Sequence, residues 1–177
     1  GKIPIILKSF FDNSHSNCST MDECVDKIRS LNNTIKYLMI RILGNDLPGL
    51  HGVNQTYDNL KFTLESETKF TDTDKVFVLN RIVDVVKKTK LIELLDQHSI
   101  KYLEIPYEYD EFKKLGELEI SQNEIDKLDN KSNVEYKCEI IQKLYPFNQY
   151  VENINSCRNF CINYGKENDY EWTFVYD

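Results

Sequence analysis

The run Ile35-Lys36-Tyr37-Leu38-Met39-Ile40-Arg41-Ile42-Leu43 is almost unbroken apolar sequence, and it constrains the fold more than any other segment. A strand with one face in water alternates polar and apolar residues, whereas a strand covered on both faces does not. The run therefore predicts a central strand of a parallel sheet. Runs of the same character recur at Lys75-Val76-Phe77-Val78-Leu79-Asn80, at Lys101-Tyr102-Leu103-Glu104-Ile105 before Pro106, and at Trp172-Thr173-Phe174-Val175-Tyr176, read as a buried strand. Helical spacing fills the gaps. A helix is expected from about Asn54 to Glu67, with Leu60 and Leu64 on one face. A second, capped by Asp84, would bury Val85, Val86, Leu91, Leu94 and Leu95 and place His98 at its C-terminus, where a cation is favoured. A last helix is expected from about 151, with Gly165 as its stop signal. Strands alternating with helices mean βαβ units. The expected class is α/β, with a Rossmann-like, mostly parallel sheet and flanking helices.

Two segments stand apart from this series. Residues 1–34 read as an N-terminal extension whose short helix opens at the capping box Thr20-Met21-Asp22-Glu23 and stops at Asn32-Asn33. Residues 35–177 form the sheet domain. Within it, 107–150 is a charged, weakly patterned excursion of two short helices, touching the core through Phe112, Leu115, Ile140, Ile141 and Leu144.

Composition narrows the partners. The chain has 177 residues and a formal net charge of −7, so no basic field attracts nucleic acid. Any phosphate must be held locally. No run approaches the ~18 apolar residues of a membrane span. Gly1-Lys2 is not a natural start, so a signal or anchor upstream stays open, and the compartment stays open between the cell interior and the secretory lumen. The cysteines are Cys18, Cys24, Cys138, Cys157 and Cys161. A small Cys18–Cys24 disulfide loop is left open. Cys157 and Cys161, at helical spacing with no His or further Cys nearby, read as small core residues rather than metal ligands. The sequons, among them Asn54-Gln55-Thr56, read as chance matches in an Asn-rich chain.

Right-handed crossovers bring every strand's C-terminal end to one edge of the sheet, where ligands of open α/β sheets bind. That edge collects the loops Arg41–Gly52, Asn80–Asp84 and Pro106–Asp110, together with Asp177. The first loop carries Arg41, Asn45, Asp46 and His51 among glycines, without a G-x-G-x-x-G fingerprint. Asn and Asp suit a base edge or a ribose hydroxyl; the alternative is an Asx-turn before Pro48. In the second loop Asn80 and Arg81 are the candidates, Arg81 for phosphate, while Asp84 reads as a helix cap. Arg158-Asn159 sits in the last helix beside Phe160 and Cys161. From there Arg158 suits a diphosphate or a strand-edge carboxylate. Asp177 at a strand tip suits a Mg²⁺ or Mn²⁺ ion bound with a nucleotide diphosphate, since such ions need few carboxylates. Its alternative is a turn-initiating Asp.

Arg158-Asn159-Phe160-Cys161-Ile162-Asn163-Tyr164-Gly165 followed by Glu171-Trp172-Thr173-Phe174-Val175-Tyr176-Asp177 resembles part of a GT-A glycosyltransferase. In that family an Arg-Asn helix leads into the strand that delivers the first acid of the Asp-x-Asp metal motif. Arg41-Ile42-Leu43-Gly44-Asn45-Asp46-Leu47-Pro48, with His51-Gly52 and Gln55-Thr56, resembles a group of glycosyltransferase-like proteins. The similarity covers residues 35–105 and 150–177. It implies a GT-A type nucleotide-binding domain over 35–177, a UDP- or GDP-sugar donor, Mn²⁺ or Mg²⁺ at Asp177, and Asn45 and Asp46 at the nucleoside. Asn80-Arg81 departs from the pattern, because many members carry an acid there. The second acid, the acceptor-binding half and any catalytic base are expected beyond Asp177. No catalytic residue is therefore assigned, the acceptor (glycan or protein) is undefined, and the 177 residues alone are expected to transfer little or no sugar. Two alternatives stay open: a sugar-phosphate nucleotidyltransferase, whose first loop is usually more basic, and a non-catalytic transferase-like interaction domain.

Overall fold

The computed structural model describes residues 36–177 except 69, 71, 117, 119 and 129–132. The expected N-terminal extension, its helix, Cys18 and Cys24 lie outside the described residues. Four strands, β1 (Tyr37–Leu43), β2 (Thr73–Asn80), β3 (Lys101–Ile105) and β4 (Trp172–Tyr176), form one sheet. All pairs are parallel and the order is β3-β2-β1-β4. Helix α1 (Gln55–Ser66) links β1 to β2, and α2 (Val85–Gln97) links β2 to β3. The return to β4 runs through α3 (Tyr109–Lys113), α4 (Gln122–Asp126), α5 (Val134–Lys143), α6 (Tyr145–Glu152) and α7 (Ile154–Glu167). The α/β class read from the sequence is the class observed.

The sheet's two faces explain the unalternating runs. Leu38, Ile40, Val76 and Val78 meet Cys157 and Cys161 of α7 on one face. Leu43, Phe77 and Leu79 meet Leu60 of α1 and Leu91, Leu94 and Leu95 of α2 on the other. β1 and β2 are therefore covered on both sides, and β2 is buried without a break from Val76 to Asn80. Cys157 and Cys161 are fully buried, as expected of small core residues. Hydrogen-bonded to Cys161 and buried, the Cys157 thiol is pushed well above the ordinary thiol range and stays protonated. Asp84 accepts from Lys87 N–H at 3.0 Å and so caps α2, while His98 closes that helix.

Five expectations are corrected. Val85 and Val86 are exposed, because the buried stripe of α2 is made by Leu91, Leu94 and Leu95 and does not include its first turn. Among the described residues the excursion holds four short helices rather than two, and α6 begins at Tyr145, ahead of the expected last helix. Within the excursion Phe112, Ile140 and Leu144 are buried but Leu115 is exposed. β4 is not buried on both faces: Trp172, Phe174 and Tyr176 share an exposed side. Gly165 does not stop α7, which runs on to Glu167.

Gly165 instead lets α7 approach β4 closely at Thr173. A Cβ there would lie 1.9 Å from Thr173 Oγ1 and 3.1 Å from Thr173 Cβ. Thr173 is β-branched and cannot swing clear, so added volume pushes the helix off the strand. Gly165→Ala is expected to destabilise by about 1–3 kcal/mol in denaturant titration. The penalty should shrink in a Thr173→Ala background, and an unchanged penalty there would argue against this contact.

Candidate functional site

The chain lays β2 and β3 to one side of β1 and then crosses back to lay β4 on the other. The C-terminal ends of β1 and β4 therefore flank the topological switch point, where open α/β sheets bind ligands. Arg41 of β1 registers with Tyr176 of β4, so Asp177 follows directly at this edge. Two hollows open there. One is a cavity of about 760 Å³ between the loop after β1, the start of α2 and the excursion. Its lining includes apolar Leu47, Ile82, Leu144 and Phe147 and polar Asp46, Lys87 and Lys90. The other is a crevice of about 320 Å³ bounded by Arg41, α1, Tyr176 and Asp177.

Much of the first loop's chemistry is directed inward. Asn45 donates from Nδ2 to Arg81 O at 2.9 Å and accepts at Oδ1 from Val83 N–H at 2.9 Å, which staples the β1 loop to the β2 loop. Asp46 accepts at Oδ1 from Thr56 N–H at 2.8 Å and at Oδ2 from Lys87 Nζ at 2.9 Å. Helix α1 starts at left-handed Asn54 without a side-chain cap of its own, so Asp46 supplies the acceptor its first turn lacks. This is not the Asx-turn considered for Asp46, because its partner lies ten residues on. Burial alone would raise the Asp46 carboxyl, but the hydrogen bonds from Lys87 and Thr56 outweigh it and hold the group below its ordinary value. His51 Nδ1 lies 3.0 Å from Leu47 N–H, an acceptor contact, and 3.1 Å from Asn45 O, a donor contact when Nδ1 is protonated. It fixes the same loop.

Asn80 and Arg81 close the end of α6. Asn80, 1 % exposed, donates to Glu152 O at 2.6 Å and Val151 O at 3.4 Å. Arg81 donates to Tyr150 O at 2.6 Å and lies 4.0 Å from the centroid of the Tyr150 ring. Three carbonyls of the last turn of α6 are satisfied this way, with a cation where the helix dipole favours one. Arg81 has φ 48, a left-handed backbone held by the bond from Asn45 and by its own N–H on Ile105 O at 2.8 Å.

At the switch point Arg41 pairs with Glu67 and lies 5.0 Å from the Tyr176 ring centroid. Glu67 also accepts from Lys75 at 2.8 Å. Arg158 reaches from α7 and pairs with Asp177, the strand-edge carboxylate anticipated as one of its partners. Asn159 is exposed on α7 and does not join this pair. Among the described residues, no group of three or more His, Cys, Asp or Glu side chains is arranged to hold a metal ion. Asp177 is the one carboxylate among the described residues lining this crevice, and a hard cation held there would complete its shell from other oxygens such as a bound phosphate and water.

Sequence reasoning missed Lys87 and Glu67, which neutralise Asp46 and Arg41. Lys87 follows the Asp84 cap in the first turn of α2, and that placement was the available signal. Glu67 meets Arg41 across 26 residues and gave none. It also missed Lys90, which lines the large cavity. Compared with family models, curated proteins and solved structures, the chain has no match. No helix among the described residues is long and apolar enough to cross a membrane.

Because the native Asp46 carboxyl titrates below its unfolded value, its contribution to stability is complete above the ordinary carboxylate range. It is lost as pH falls through the depressed native value. Asp46→Asn should cost about 1–3 kcal/mol near neutrality and give a shallower loss of stability as pH falls through and below the ordinary carboxylate range. Urea midpoints measured across that range check both, and parallel acid limbs in parent and variant would refute the pairing.

Proposed function

We propose that this chain is the donor-binding part of a glycosyltransferase, holding a nucleotide-diphosphate sugar at the C-terminal edge of its sheet with Mn²⁺ or Mg²⁺. One observation carries the reading: Asp177 stands at the β1–β4 switch point, held by Arg158 from the helix before its own strand. A carboxylate and an arginine sharing one strand tip suit a metal–diphosphate ligand, the carboxylate for the cation and the guanidinium for phosphate oxygens.

In this reading the residues divide the work. The large cavity takes the nucleoside against its apolar lining, and Lys90 stands at its polar side. Asn45 and Asp46 shape that cavity, because their side-chain atoms are committed to the loop. Arg158 holds Asp177 in place before the ligand arrives and turns to the diphosphate when a cation takes the carboxylate. The ion, when bound, offsets charge on the diphosphate leaving group. A second reading, a transferase-like interaction domain, is favoured by the aromatic side of β4, where Trp172, Phe174 and Tyr176 are each about half exposed.

Calorimetry with UDP and GDP, each with and without Mn²⁺, separates the two. The donor-binding reading expects one of them to bind, more tightly with Mn²⁺. It also expects Asp177→Asn to remove the Mn²⁺-dependent gain while leaving thermal stability near the parent's. If neither nucleotide binds in the presence of Mn²⁺, the reading is wrong and the interaction domain gains.

A further inference from the structure

The two edges of the sheet are guarded differently. At the β3 edge Lys101 and Glu104 are exposed and Pro106 follows, the usual devices against pairing with another strand. The β4 edge carries none of them. Trp172-Thr173-Phe174-Val175-Tyr176 holds no charge and no proline, and its register with β1 runs without a bulge. Among the described residues β4 pairs with β1 alone, so one row of its N–H and C=O groups is open. Beside that row Trp172, Phe174 and Tyr176 stand 55, 43 and 42 % exposed. Rings of 150–250 Å² exposed to this extent, taken with the strand's own edge, offer roughly 1,000 Å² in a symmetric pair, the lower bound for a specific interface.

We infer that β4 is a self-pairing edge: two copies of this chain join their sheets through β4, antiparallel and centred on Phe174. Symmetry fixes the details. A two-fold axis normal to the sheet sets the two strands antiparallel and keeps α7 on the same face of both. Side chains alternate between faces, so rings oppose rings and Thr173 opposes Val175 of the second copy. With the axis at Phe174 the whole strand pairs. Phe174 then opposes itself and Trp172 opposes Tyr176 of the second copy, aromatic pairs of the kind that stabilise antiparallel strands. The same register sets Glu171 across from Asp177. Two bare carboxylates would repel there, but Asp177 carries Arg158, whose side chain is 47 % exposed and open to a second acid. Each end of the pair therefore closes with complementary charge. The pairing does not rest on donor binding, and it brings Glu171 of the second copy to the Arg158–Asp177 pair.

Sedimentation velocity of the full chain, without nucleotide or metal, reads the association from micromolar to submillimolar concentration. A reversible monomer–dimer equilibrium is expected. Phe174→Lys sets like charges face to face on the axis and should weaken it about tenfold or more. Val134→Lys, at a 76 % exposed position of the excursion, should leave it unchanged. Phe174 is already half exposed, so its variant is expected to fold, and thermal melts check that. Cysteine substitution reads the register. Residues directly opposite in an antiparallel pair have Cα atoms about 4.5–5.5 Å apart, within disulfide reach, so Phe174→Cys should cross-link to its own copy on mild oxidation. Trp172→Cys and Tyr176→Cys stand about 14 Å from their own copies in this register. They should cross-link no more than the parent chain, where exposed Cys138 sets the background. A chain that stays monomeric throughout overturns the inference and leaves the edge to a strand of another protein. Self-association indifferent to Phe174→Lys overturns it too, as does equal cross-linking at all three positions, which marks unspecific ring contact. These readouts stand whether or not UDP or GDP binds.

Discussion

The last turn of α6 leaves carbonyls that no helix can satisfy internally, and the end of β2 satisfies them. Asn80 and Arg81 bond the carbonyls of Tyr150, Val151 and Glu152. Much of the site follows from this contact. It holds the excursion against the sheet edge, so that Leu144 and Phe147 help enclose the large cavity. It also fixes the start of α7, since Asn153, left-handed at φ 41, ends α6 and begins α7 in a single residue. With that start fixed, Cys157 and Cys161 fall on the sheet and Arg158 falls at Asp177. The left-handed backbone of Arg81 is a strain that persists because its carbonyl accepts from the Asn45 side chain and its own N–H donates to Ile105 O.

Charge at the sheet edge is organised pairwise. Asp46 meets Lys87, Glu67 meets Arg41 and Lys75, and Asp177 meets Arg158. Partly exposed pairs of this kind contribute little stability each. Their effect is to place groups and to set what a ligand must displace. Asp46 is the most buried member, its side chain 7 % exposed, and it bridges α1 to α2, so it serves the fold first. The Arg158–Asp177 pair is the more exposed one, at 47 % and 33 %, and can open at smaller cost.

Much of the fold was legible because β1 and β2 are covered on both faces, which leaves continuous apolar runs, and because Asp84 caps its helix locally. The errors have physical causes. Gly165 carries the same signal whether a helix stops there or a strand comes within contact, and sequence does not separate the two. The segment Trp172–Tyr176 alternates aromatic with smaller side chains, but all are apolar or nearly so, and the alternation concealed an exposed face. Pro146 in the first turn of α6 was a start signal for that helix and passed unused. The partners of Asn80 and Arg81 lie 69–72 residues away, beyond the reach of any local pattern.

The candidate site was legible as a place more than as a set of contacts. Asn45, Asp46 and His51 drew attention because polar residues in a strand-edge loop resemble ligand-binding groups. The same residues are required by the backbone. A loop that leaves β1 and enters an uncapped helix must find acceptors for its N–H groups, and Asp46 and His51 provide them. Backbone satisfaction therefore uses up the residue types that sequence reading favours. What remains for a ligand, among the described residues, includes side chains without partners such as Asp58 and Lys90 at the cavity, and Asn59 and Thr63 at the crevice. Nothing in their local sequence marks them. They become candidates only once the fold shows which polar atoms are already committed and which face an open space.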